Sequence, residues 1–201
     1  MVGSVTLNVW LVKLAISARL CGLPMRNIDL RNLRPNIIDF EASGFGEDSY
    51  PIEVGVVLAN GDKYCALIKP ASRWLFWNDQ AEQIHGLSRE LLVKNGKPIQ
   101  VVAAELNAFL AGMVVYSDGW VVDKAWLSRL SYDSGIQPSF YLSPLEMILK
   151  EEQMEIWSQI KQEVIDDLAL QRHRASSDAL ILQETFVRTR QLTTLTGSSL
   201  V

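Results

Sequence analysis

Two carboxylates, Asp39 and Glu41, interrupt the apolar run N-I-I-D-F-E-A-S-G at residues 36 to 44. On a β-strand, residues two apart point to the same face, so these acids stand side by side at about 7 Å along the chain. Like charges in apolar surroundings resist ionising unless a cation compensates, and hard divalent ions such as Mg²⁺ or Mn²⁺ do this through oxygen ligands. The plain alternative is an edge strand with both acids in water. A second pairing lies near the C-terminus, where Q-R-H-R-A-S-S-D-A-L sets His173 five residues before Asp178. Along one continuous helix they would be about 140° apart. They converge only if the helix starts near Ala175 to Ser177, where Ser176 or Ser177 can cap it. Otherwise Asp178 is a surface acid complementing a helix dipole, beside a solvated His173. A third stretch, S-D-G-W-V-V-D-K-A-W-L, puts Asp118 at a strand end and Asp123 at a helix start. Either acid reaches a site at that edge, unless Asp123 caps the helix and Asp118 makes the turn.

The elements that must position these groups follow from periodicity. Residues 36 to 41 read as a first strand, and the turn-rich S-G-F-G-E-D-S-Y-P as a loop. Ile52 to Ala59 is a second strand, Asn60-Gly61-Asp62 a tight hairpin turn, and Lys63 to Lys69 a third strand. An aromatic-rich segment containing Trp74, Trp77 and I-H-G at His85 follows. Ile99 to Leu110 has helical spacing, Met113 to Tyr116 is a short buried strand, and Val121 to Tyr132 a helix. Leu145 to Leu170 is a long charged helical tract, in one piece or two, and the last helix runs to about Arg190. Strands first as a meander, then helix alternating with strand, define an α/β layered domain with a mixed sheet. It spans residues 33 to 192, between an N-terminal extension, 1 to 32, and a frayed tail, 193 to 201.

Composition narrows the function. A chain of 201 residues with 48% hydrophobic content builds one ordinary core, while a net charge of −4 and a pI near 5.2 exclude a broad basic face for nucleic acid. Any nucleic-acid contact is therefore local. Cys21 and Cys65 have no metal spacing and offer no disulfide framework, which implies a reducing, cytoplasmic setting. The apolar run at residues 5 to 21 is broken by Lys13 and Arg19 and is not a membrane span. It reads as an edge element, a targeting segment or an upstream start, with no role in the chemistry.

In their order along residues 36 to 190, these motifs resemble the DEDDh 3′–5′ exonucleases, the DnaQ-like branch of the ribonuclease-H-like fold. D-F-E at Asp39 and Glu41 matches the first motif, Asp123 in V-D-K-A-W-L fits the second better than Asp118, and H-R-A-S-S-D at His173 and Asp178 matches the third. The I-H-G around His85 matches a subsidiary feature. Where members commonly carry Thr after the first motif and Asn or His at the second, this chain has Ala42, Ser43 and Ser117. The resemblance implies a three-layer fold with about five strands, the first three antiparallel, flanked by helices. It also implies two-metal phosphodiester hydrolysis with Mg²⁺ or Mn²⁺, with Asp39, Glu41, Asp123 and Asp178 as ligands and His173 as general base. Imidazole, with an ordinary pKa near 6.5, accepts a proton at neutral pH. The substrate is then a single-stranded DNA or RNA 3′ end, and the products are nucleoside 5′-monophosphates.

Ala42, Ser43 and Gly44 are small enough to let backbone approach the terminal sugar, and Phe45 is placed to stack on a base. Trp77 and His85 are further candidates for that pocket, although tryptophans so spaced more often pack a core. Two alternatives remain: a non-catalytic nucleic-acid or protein binding module on the same fold, and an oligoribonuclease-type enzyme that clears short RNA. A homodimer through the tract from Leu145 to Leu170 is a further expectation, the other being that this tract covers the sheet.

Overall fold

The computed structural model describes residues 33–197, so the expectations for residues 1 to 32 and for Cys21 lie outside the described residues. A sheet of five strands is ordered β3-β2-β1-β4-β5. β1 (Ile37–Ala42), β2 (Pro51–Val57) and β3 (Lys63–Leu67) form an antiparallel meander, while β4 (Val114–Ser117) and β5 (Tyr141–Pro144) continue parallel to β1. The strand carrying the two acids is thus central, and the edge-strand alternative falls. β5 has no apolar alternation to mark it in the sequence; it is four residues long and ends in proline.

Helices α1 (Asp79–His85), α2 (Arg89–Asn95) and α3 (Ile99–Leu110) connect the meander to β4. α4 (Trp120–Ser134) follows β4, a 3₁₀ turn at Leu145–Ile148 follows β5, and α5 (Glu151–Leu168) and α6 (Ala175–Gly197) close the order. The two-residue period of β1 decides what each face receives. Ile38, Phe40 and Ala42 join Val54 and Val56 against Val102, Leu106 and Leu110 of α3 and Trp126 and Leu130 of α4. Ile37 and Val57 face Ala179, Leu182 and Phe186 of α6. Two apolar layers therefore sandwich the sheet, and Asp39 and Glu41 share the α6 side with Ile37.

Three local expectations change. Ser176 and Ser177 do not cap the last helix; they sit inside its first turn, which begins at Ala175. The orphan Ala175 amide is instead satisfied from another element, by Glu53 Oε2 at 2.9 Å. The same helix continues beyond Arg190 to Gly197, where Thr193 and Thr194 donate their hydroxyls to the Thr189 and Arg190 carbonyls at 3.0 and 2.7 Å. α5 covers the sheet only in part, through Trp157 against the cluster that holds Ile37 and Val57. It packs on the outer side of α6, where Ile160 and Val164 meet Ile181. Among the described residues no helix is long and apolar enough to cross a membrane.

Candidate metal centre

The site forms at the C-terminal ends of the parallel strands β1 and β4, where the chain switches from one side of the sheet to the other, the usual crevice of open α/β sheets. Asp39 and Glu41 project from β1 on the face that α6 covers. The register pairs Asp39 with Gly55 and Glu41 with Glu53 of β2, then slips between Glu41 and Ala42, an irregularity of the sort that re-aims side chains beside functional sites. α6 brings in Asp178. Carboxylate oxygens of Asp39, Glu41 and Asp178 all lie within 4.8 Å of one another. The family resemblance implied this meeting, and the helix start after His173 that it requires is present.

Asp123 arrives from the opposite layer. It lies on the buried stripe of α4 with Trp126, Leu127 and Leu130, only 2% exposed, and accepts a hydrogen bond from the Ser117 hydroxyl at the end of β4. It caps nothing, since Gly119 occupies the N-cap without a side-chain bond. A carboxylate at a core position of a helix was the signal that separates it from Asp118, which is exposed enough to pair with Lys161 of α5 at 2.9 Å.

The electrostatics follow from this crowding. Burial, followed by the charge of Asp123 and then of Glu41 and Asp178, holds the Asp39 carboxyl well above its ordinary range. Burial and then Asp178 push Glu41 up to about 8. Burial likewise raises Asp123 to about 7, against the opposing Ser117 hydrogen bond. Acids so placed need protons or a cation. The donor set is all carboxylate oxygen, with neither thiolate nor imidazole in the cluster, and it fits a hard divalent ion of the Mg²⁺ or Mn²⁺ type.

His173 lies on the loop between α5 and α6, exposed, with φ of 58°. Such left-handed backbone costs a non-glycine residue on the order of 1 kcal/mol or more and must be held by its surroundings. Asp178 Oδ2 accepts the His173 amide at 2.9 Å, and Asp178 Oδ1 accepts from Arg172 Nε at 2.8 Å. The next residue, Arg174, is clamped by Glu53: Nε reaches Oε2 at 3.0 Å and Nη2 reaches Oε1 at 2.6 Å. Glu53 is fully buried. Beside it, a Cβ on Gly55 would stand 2.3 Å from the Ala175 and Ser176 backbone, so only glycine lets the start of α6 seat on β2. Glu53, Gly55 and Arg174 therefore bring the His173 loop and Asp178 to the acids of β1. Sequence reasoning missed all three; the signal was an acid and a glycine inside the otherwise apolar P-I-E-V-G-V-V.

The residues expected to seat a nucleotide divide. Phe45 is 74% exposed with its ring 6.1 Å from Trp126. Ala42, Ser43 and Gly44 are buried, and the Ser43 hydroxyl accepts the Tyr50 amide at 3.2 Å, so this stretch closes the fold beneath the loop. Trp77 is partly buried, donates to Glu82 at 2.6 Å, and meets the edge of His85 at 6.2 Å. Trp74 is core, fully buried and stacked on Tyr50. His85 accepts the Leu87 amide at Nδ1, which leaves Nε2 as the protonated nitrogen, buried and without a partner among the described residues. Burial lowers its pKa, against the nearby Glu82 and Glu53 carboxylates, which act to raise it.

No family model and no curated protein matches the sequence. Solved structures do match. Escherichia coli exonuclease I in complex with a dA16 oligonucleotide superposes with a TM-score of 0.57 at 13% identity, covering 80% of this chain and 42% of that one. Its complex with a 5cy-dT13 oligonucleotide gives 0.59 at 14% identity, covering 80% and 42%. A moderately thermophilic exonuclease I from Methylocaldum szegediense gives 0.53 at 11%, covering 80% and 40%. The chain thus spans about two fifths of the length of these exonucleases, and at such identities the likeness establishes the fold: a mixed sheet between helical layers, of the ribonuclease-H-like kind.

Proposed function

We propose that this chain is a metal-dependent 3′–5′ exonuclease of the DEDDh kind, acting on a single-stranded 3′ end and releasing nucleoside 5′-monophosphates. The observation that carries the reading is the meeting of Asp39, Glu41 and Asp178, from the first strand and the last helix, within 4.8 Å. Asp123 stands beside them as the largest neighbouring charge on Asp39. When bound, a pair of Mg²⁺ or Mn²⁺ ions activates water and neutralises the phosphate and the departing 3′ oxygen. Asp39, Glu41 and Asp178 would hold one ion, and Asp39 with Asp123 would hold the other. His173, exposed at the rim, takes the proton of the attacking water at its imidazole nitrogen. Phe45 offers a stacking face, Trp77 and His85 complete the proposed nucleotide pocket, and the buried His85 Nε2–H has no partner among the described residues. Solved neighbours that share the fold hold single-stranded oligonucleotides, which favours the same substrate class here.

The test is to incubate purified protein with 5′-labelled single-stranded DNA and RNA in Mg²⁺, Mn²⁺ or chelator, beside Asp39→Ala and His173→Ala. Stepwise shortening from the 3′ end, lost in chelator and in both variants, is the expected result. Binding of the strand without shortening under every metal would favour the non-catalytic module instead. RNA shortened in preference to DNA, on the shortest strands above all, would mark the RNA-clearing enzyme.

A further inference from the structure

Beside the carboxylates lies a pocket of about 190 Å³ lined by Asp39, Asp118, Lys161, Arg172, Asp178 and Leu182. Its two cations come from different elements, Lys161 from α5 and Arg172 from the loop before α6. Each now holds one acid of the same pocket: Lys161 Nζ donates to Asp118 Oδ2 at 2.9 Å and Arg172 Nε to Asp178 Oδ1 at 2.8 Å. We propose that Lys161 and Arg172 form a phosphate subsite that grips a backbone phosphate of the strand next to the scissile one. The proposal rests on the exonuclease reading of the adjoining carboxylates.

Three observations converge on it. A net charge of −4 leaves a polyanion dependent on local cations, and these two lie in one pocket that already includes the Asp39 and Asp178 carboxylates. Arg172 uses only Nε in its ion pair, so the Nη side of the guanidinium fork keeps the planar donors that suit bidentate phosphate, and Lys161 keeps two ammonium hydrogens. Their side chains are 37% and 28% exposed, so the ion pairs they make now add little to stability and exchange readily. Asp118 and Asp178 engage the two cations one for one, so phosphate competes for them best once divalent charge enters the neighbouring cluster and draws Asp178 to it. Strand binding is therefore conditional on metal, and the cations turn from acid to phosphate once the acids have other partners.

The experiment measures anisotropy of a 5′-fluorescein oligothymidylate whose 3′ linkages are phosphorothioates, in Mg²⁺ and in chelator, across a salt series. Wild type should bind in Mg²⁺ and lose most affinity in chelator. Lys161→Ala and Arg172→Ala should each raise Kd by about 5-fold or more and reduce the log–log salt slope by about 0.7, the share of one single-strand phosphate contact. Arg172→Lys should keep the slope but not the full affinity. Mn²⁺ binding without DNA, followed by calorimetry, should be unchanged or tighter in Arg172→Ala, which separates the subsite from damage to the carboxylates. Unchanged Kd and slope in both alanine variants, while wild type binds and shortens DNA, would overturn the subsite alone. An equal loss from Lys94→Ala, an exposed cation on α2, would show bulk charge and overturn it as well. Wild type that neither binds nor shortens DNA would bring down the exonuclease reading and the subsite together.

Discussion

Glu41 and Glu53 are direct cross-strand partners on one face of one sheet, yet their surroundings differ. Glu53 is fully buried and satisfied within the fold, by two donors of Arg174 and by the amide that starts α6. Glu41 sits one strand over, facing Asp178, and burial with that charge pushes it up to about 8; Arg174 offsets only part of this. The β2 side of the face is thus a structural clamp, complete as it stands. The β1 side is an unfinished electrostatic arrangement that a cation from solution would complete. Repulsion is tolerated there because a clamp next door holds the pieces in place.

The largest expected effect breaks the comparison on the β1 side. Glu41→Gln should lower the shortening rate by roughly 10²–10³-fold, the scale of losing one charge-stabilising group. Above about pH 8, where Glu41 gives up its proton, the same variant should melt higher than wild type in chelator, since a repelling charge is gone; a lower melting point there would refute the repulsion. Opposite behaviour is expected on the β2 side. Glu53→Ala strands Arg174 and the Ala175 amide and should cost about 3 kcal/mol in urea unfolding, with or without metal. Gly55→Val tests the clamp without touching a charge: overpacking against the start of α6 should cost about 1–3 kcal/mol. Because it shifts His173 and Asp178, it should reduce shortening more steeply than stability. Equal activity at wild-type Tm would show that the close approach positions nothing.

The smallest effect sharpens the comparison through pH. Glu41 and Asp123 keep protons in the folded chain up to about 8 and about 7, whereas unfolded carboxyls release them near 4. The folded state binds more protons across that window, so metal-free stability should fall as pH rises from about 4 through about 8. Mn²⁺ competes with those protons, so the Tm increase it gives should grow over the same range. Thermal scans at several pH values with Mn²⁺ or chelator check the sign, and a metal shift that shrinks with pH would contradict it.

Much of this molecule is decided within short stretches. Alternation in I-I-D-F-E-A places Asp39 and Glu41 on one face in any sheet that forms, and Asn60-Gly61-Asp62 closes the hairpin of β2 and β3 locally. Helical spacing over Ile99–Leu110 needs no partner to be read. What stayed hidden needed distant atoms. β5 is four residues of weak pattern that become a strand only against β4. The cap of α6 is Glu53, 122 positions away, where local rules pointed to Ser176 or Ser177. The burial of Asp123, which the resemblance already favoured over Asp118, appears once α4 has a buried side, and His173 finds its place because Asp178 and the Glu53–Arg174 pair hold its strained backbone. Chain-local preferences act over a few residues and so determined which groups exist and which way they face. Bringing carboxylates together against their own repulsion required energy from packing and ion pairs elsewhere, and only the tertiary structure supplies that.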